Sequence, residues 1–343
     1  MSSAMEGGGR YNRHASAQAA SARFGLDALA AAAGTAPRDP AGVVTVVDYG
    51  ASEGRNSLLP MTTAVEAIRR RHGAAQPIRV LHTDLPDNDF SSLFRTVAAD
   101  GGYRRPGVYS AAIGRSFYEQ LVPDASVGLG WSAIAVHWLS GVPGPLDGFW
   151  FTTADAGQYA TWAAAAAADW RAFLRARAAE MLPGARLVVV VGTAGGDGRG
   201  RRSGAERAMD EIGRGVDVLH DEGLLRDGDR EAMVIPAWYR TADEWRAPFD
   251  DPEMDLDLEQ LELVDIGDPL WDQTRSGGDY PTAVAAALRV SFGPALLQTL
   301  AADRRPLIAA RLFDGHLARA IAEQPAEPWF HWRLAVLVVA KPR

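Results

Sequence analysis

The sequence predicts an α/β fold, a mostly parallel sheet with helices on both faces, plus a helical cap. Three observations carry that expectation. Strand-like runs recur at 43–48 (VVTVVD), 78–83 (IRVLHT), 107–113, 126–134 and 186–193. Helical patterns lie between several of them, as at 58–71 and 88–99, and alternation of this kind marks parallel strands joined by crossover helices. A glycine loop, 50-GASEG-54, follows the first strand directly.

The remaining elements follow in order. Residues 158–182 read as an amphipathic helix in which Tyr159, Trp162, Ala166, Phe173 and Leu174 approximate one stripe. The basic glycine-rich stretch 194-AGGDGRGRRSGA-205 lacks the G-K-[ST] ending of a phosphate loop and reads as a mobile surface loop. Residues 203–240 look helical and then irregular. The acidic segment 250–268 reads as a solvated edge strand preceded by an acidic loop, in preference to a metal site. Residues 281–300 and 305–322 predict helices, and 333–340 a closing strand. The expected organisation is one composite domain: an N-terminal arm over 1–30, a core over 31–200, a helical cap over 201–250, and the rest of the sheet with cap helices over 251–343.

Composition excludes several classes of function. A formal charge of −8 argues against a general nucleic-acid binder, which needs clustered Lys and Arg. With no cysteine there is no disulfide, thiolate nucleophile or Cys-held metal. Lys341 is the single lysine among many arginines and alanines, a bias that reads as a GC-rich bacterial genome. The N-terminus has no apolar secretory core. The uncharged window 125–146 is long enough to span a bilayer, but His137 and two prolines interrupt it, so a buried strand leading into a pocket is expected. These features predict a soluble cytoplasmic protein that binds neither nucleic acid nor membrane.

The glycine loop admits two readings. Gly50-Ala-Ser52-Glu-Gly54 fits the elbow of an α/β-hydrolase, with Ser52 as nucleophile and His316 or His331 to complete a triad. That elbow belongs on a central strand, after an earlier strand has supplied the oxyanion loop, and no strand-like run precedes residue 43. The other reading is a cofactor loop. The first strand ends in Asp48, Gly50 and Gly54 let the backbone approach a ligand, and the second strand leads to Asp84, where an acid can accept from ribose hydroxyls. The loop lacks the G-x-G-x-x-G of a diphosphate site, which points to S-adenosylmethionine.

Several stretches resemble one family. 48-DYGASEGRNS-57, 84-DLPDNDFSSLF-94, 116-SFYEQLVP-123, 137-HWLSGVP-143 and 173-FLRARAAEMLPGARLVVV-190 are similar to the SABATH methyltransferases, with weaker likeness at 235-IPAWY-239 and 294-PALL-297. The resemblance implies the class I methyltransferase fold and methyl transfer from S-adenosylmethionine, without a metal, to a small carboxylic acid or, in one branch, a ring nitrogen. It also implies roles residue by residue. Tyr11 covers the cofactor, Asp48, Gly50 and Asn56 flank its methionine part, Asp84 and Leu85 hold the ribose, and Ser116 and Phe117 hold adenine. Gln18 and Trp138 donate to the substrate carboxylate, while His137 and Trp238 line the substrate pocket. A homodimer is the expected working form.

Two departures leave the substrate open. Glu53 and Arg55 add an acid and a base to a loop that is often Cys-Ser-Ser-Gly-Pro-Asn in the family, and Ile134 stands where a Tyr is usual. The chemistry expected of a carboxylate needs no base, since the acid is ionised at pH 7. A phenol or ring-nitrogen acceptor instead requires His137 as base.

Overall fold

The computed structural model describes residues 4–99, 102–196, 201–275, 277–324 and 326–343. Seven strands form one sheet: β1 (Val44–Tyr49), β2 (Ile78–Asp84), β3 (Val108–Gly114), β4 (Val127–Ala133), β5 (Met181–Gly192), β6 (Asp257–Gly267) and β7 (Trp332–Ala340). Their order is β3-β2-β1-β4-β5-β7-β6. β1 to β5 are mutually parallel, whereas β7 runs antiparallel between β5 and β6. The β-branched runs in β1 and β5, and the apolar strand β4 between them, are buried on both faces, as the inner strands of a parallel sheet must be. β6 is the acidic edge strand, with its charged side chains in solvent.

Helices 58–72, 90–98 and 156–180 are crossover or flanking helices of the sheet. The last starts at a capping box in which Asp155 and Gln158 bond each other's backbone, and it stops where Pro183 follows. Helices 206–221, 280–296 and the segment 305–322 pack together as a cap whose core includes Ile212, Leu288, Phe292 and Leu312. The run at 305–322 is not one regular α-helix: residues 310–317 form a π-helical stretch between two α-helical ends. β5 starts five residues before the strand-like run at 186–193, because Met181 pairs with Val127 ahead of a bulge. The basic loop is also not wholly at the surface. Residues 197–200 lie outside the described residues, but Arg201 is buried, pairing with Glu244 and donating to the Tyr239 carbonyl.

A buried ion pair ties the sheet to its flanking helix. Arg177 and Glu180 are both fully enclosed and meet through two hydrogen bonds of 2.8 Å. Arg177 also donates to the Phe117 and Glu119 carbonyls, and Glu180 accepts from the Tyr49 hydroxyl and the Leu121 amide. Every charge is therefore hydrogen-bonded, the condition under which a buried pair is tolerable. Replacing one member strands the other. Arg177→Met should cost about 3–5 kcal/mol in denaturant-unfolding experiments, and it should loosen the 117–121 loop that the guanidinium holds.

Candidate active site

The sheet order reverses between β1 and β4, the switch point at whose carboxyl end α/β folds open a crevice. A cavity of about 600 Å³ opens there. Its walls bring together Tyr11, Gln18, Gly50, Ser52, Asp84, Leu85, Ser116, Phe117, His137 and Trp138, residues spread over 128 positions of sequence. Its sparse polar groups stand among Leu139, Leu270, Leu288, Phe292, Phe330 and Trp332.

On the cofactor side, Gly50 has φ +89°, and a Cβ there would sit 2.5 Å from Ala135 Cβ. Only glycine fits that turn. Asp84, at the end of β2, accepts from the Ser52 amide at 2.7 Å and the Leu85 amide at 2.8 Å. Burial nonetheless pushes its carboxyl up from 3.8 to about 6, against the lowering effect of both amides, and nearby Asp48 raises it further. Such a carboxylate gains from additional hydroxyl donors. Tyr11 stands beside Asp84 and Asn56, and burial raises its phenol.

Three expected residues are placed otherwise. Asp48 does not line the cavity: it is opposite His82 in the β1–β2 register, so the two side chains share a face and meet at 2.8 Å. His82 bonds in turn to Tyr103, and Tyr103 to Ser110. Asn56 also stands back from the cavity, donating to the Ala15 carbonyl. Trp238 is fully buried against Phe151 and Tyr159 with Arg201 over its ring. Adjacent side chains of an extended segment point to opposite sides, and the segment bridges Trp138 to Ala237. Tyr239, not Trp238, therefore reaches the cavity.

On the substrate side, Trp138 packs its ring on Phe292 and His137, and its carbonyl accepts from the Tyr118 hydroxyl. Gln18 Nε2 donates to Ser291 Oγ at 2.6 Å, while Gln18 Oε1 is buried without a partner. Turning the amide over lets the Ser291 hydroxyl donate to Oε1 and frees both N–H donors. His137 is pushed down to about 3 by burial, with nearby Arg240 contributing, so it stays neutral. Ser52 Oγ is buried and unpartnered among the described residues, and Ser52 has φ +48°. No histidine activates it there, so the elbow reading fails.

Sequence reasoning missed the wall built by Ala287, Leu288, Ser291 and Phe292, which recur on one face of helix 280–296, and by Phe330, Trp332 and Leu334 near the start of β7. The helical spacing was legible, but it reads equally as core.

The sequence matches a family model described as SAM dependent carboxyl methyltransferase over residues 4–325. The chain belongs to this family of carboxyl methyltransferases. Its cofactor is S-adenosylmethionine, and the residues present fit that group: the buried Asp84 carboxylate and the Gly50 backbone both line the cavity at the strand ends. Among relatives of this carboxyl methyltransferase, Methyltransferase LUC1 of Fusarium sp is 31% identical over 245 residues, 69% of this chain and 64% of that protein. Indole-3-acetate O-methyltransferase 1 of Oryza sativa subsp. japonica is 29% identical over 318 residues, 82% of this chain and 77% of its own length. Gibberellic acid methyltransferase 2 of Arabidopsis thaliana is 25% identical over 304 residues, 78% of this chain and 73% of its own length. A solved loganic acid methyltransferase with SAH superposes with TM-score 0.82 at 18% identity, covering 99% of both chains. The fold is thus the class I methyltransferase fold, and these relatives, fungal and plant, give no support to a bacterial origin.

Asp84 generates a pH prediction. A carboxyl raised on folding adds stability below about 4, and that contribution is lost as pH rises through about 6. The stability difference between wild type and Asp84→Asn, from thermal melts, should therefore shift in favour of Asn over that window. Binding of S-adenosylhomocysteine near pH 6 should release protons, measurable by calorimetry in buffers of different ionisation enthalpy, and Asp84→Asn should abolish the release.

Proposed function

We propose that the protein forms the methyl ester of a small, largely apolar carboxylic acid. The observation that carries this reading is the placement of Gln18 and Trp138, two neutral donors, in the same cavity as Asp84, beside a histidine whose basicity burial lowers. S-adenosylmethionine supplies the methyl group from its sulfonium. Asp84 and Leu85 hold the ribose, Ser116 and Phe117 the adenine, and Gly50 the methionine part under Tyr11. Gln18 and Trp138 orient the acid by donating to its carboxylate. A cation in their place would bind the acid more tightly but draw charge from the attacking oxygen. The apolar walls exclude water, so proximity and desolvation do the rest.

His137 decides between acceptors. An imidazole held near 3 is a poor base for a phenol or ring nitrogen, which favours the carboxylate over the alternative acceptor. In place of a base, His137 packs between Trp138 and Tyr239. The arm, residues 1–30, acts as the cover, with Tyr11 over the cofactor and Gln18 over the acid. The homodimer rests on the resemblance alone, and sedimentation tests it. The cytoplasmic location rests on composition, together with the fact that no helix among the described residues is long and apolar enough to cross a membrane. The bacterial origin rests on the arginine bias alone.

Incubation of a panel of aromatic and terpenoid acids with labelled cofactor tests the function, and methyl esters should form. kcat should stay flat from about pH 7 to 9, because no group on the path titrates there. A rise with pH that vanishes in His137→Asn sinks the carboxylate reading. Trp138→Phe keeps the packing and loses one donor, so kcat/KM should fall by an amount equivalent to about 1–2 kcal/mol.

A further inference from the structure

The two departures in the cofactor loop, Glu53 and Arg55, meet the N-terminal arm. Glu53 is buried, and its carboxylate accepts from the Gly9 amide at 2.5 Å and the Asn12 amide at 3.0 Å. Its carbonyl accepts from Asn12 Nδ2, which also reaches Thr96. Arg55 completes the contact: its amide donates to Asn12 Oδ1, and its guanidinium to the Asn12 carbonyl. Between Gly9 and Asn12 lies Tyr11, which lines the cavity. On the other side of the loop, the neighbouring Ser52 amide donates to Asp84. One short backbone segment therefore links the ribose-side carboxylate to the seat of the arm.

We propose that Glu53 is a positioning residue that latches the arm to the cofactor loop. It sets Tyr11 over the cofactor, so that ordering of the loop by the cofactor and seating of the arm favour each other. The proposal rests on the reading of the arm as the site's cover. Two N–H groups of a glycine-rich segment converge on one carboxylate, and the segment 4–9 has only Ala4 and Met5 as apolar anchors. Without that acceptor the Gly9 and Asn12 amides at the start of helix 10–14 lose their side-chain partner. A second set of contacts, from the cap, reaches the same arm: Arg289 lies 3.6 Å from Glu6, and Ser291 bonds Gln18. On the cofactor's side the Gly8 amide also donates to Asp89 and Asn56 to the Ala15 carbonyl, but Glu53 is the carboxylate there on which two arm amides converge. Coupling of this kind is reciprocal, so the cofactor should protect the arm as much as the arm retains the cofactor.

The test uses the full chain with S-adenosylhomocysteine as probe. In wild type, the probe should slow amide exchange at Gly9 and Asn12. Glu53→Ala should speed exchange at both amides, make it insensitive to the probe, and weaken probe binding roughly tenfold, the range expected for a lost hydrogen bond to a charge. Glu53→Gln keeps the size and one acceptor and should fall between, which guards against a folding defect in Glu53→Ala. KM for the cofactor should rise more than kcat falls. Glu53→Ala and Tyr11→Ala should weaken probe binding less in combination than the sum of their separate effects. Fully additive effects, or unchanged exchange in both Glu53 variants while Tyr11→Ala weakens binding, overturn the latch alone. Unchanged affinity and turnover in Tyr11→Ala, with exchange still freed by Glu53→Ala, overturn the cover reading and the proposal with it.

Discussion

The site depends on a charge pair that faces no ligand. Arg177 and Glu180 lie in the last turn of helix 156–180, where it packs on the sheet, and together they bond β1 through Tyr49 and the 117–121 segment through three backbone groups. Aromatic packing surrounds them, with Arg177 over the Tyr49 and Phe173 rings and Phe117 edge-on to Phe173. Phe117 is a cavity wall, so the geometry on that side of the cavity is set by electrostatics one layer below it. Both residues fall in the 173–190 stretch on which the resemblance partly rests, and they give that stretch a physical reason.

Much of the fold was legible in the sequence. Runs of apolar and β-branched residues between helical patterns marked β1, β2, β4, β5 and β7. The boundaries that were not legible depended on partners. Met181 to Ala185 extend β5 only because Val127 is there to pair with Met181, and nothing in RPLIAARLFDGHLARA announces a π-helical register in the middle. The same holds for the site. Gly50, Asp84, Leu85, Ser116 and Phe117 follow strand ends, where topology alone brings them to the crevice. Asp48 also stands near a strand end, one residue before the last of β1, but its register partner is a histidine and takes its carboxylate. Trp238 and Tyr239 differ by one residue, and period-two alternation decides between them only once the bridge to Trp138 is known.

Strain accompanies the wall on the substrate side. Ile134 adopts φ +52°, a region a β-branched side chain rarely visits. It lines the cavity just past β4, and its amide bonds the Val190 carbonyl. Strain of this order, roughly 1–3 kcal/mol, persists only where the surroundings fix it. Here the neighbouring sheet does so, and the effect is to turn the chain sharply from β4 toward His137 and Trp138.

The bond between Gln18 and Ser291 joins positions 273 residues apart. Contacts of such long separation form late, because loop closure must precede them. On the ribosome the arm emerges first and waits for helix 280–296 before Gln18 has anything to meet. On the proposed reading, the two donors for the acid thus come together only after the cap has folded. On that reading, a nascent chain that already holds its cofactor-side strands still has no complete acid site, and it cannot sequester acid before it is able to turn it over.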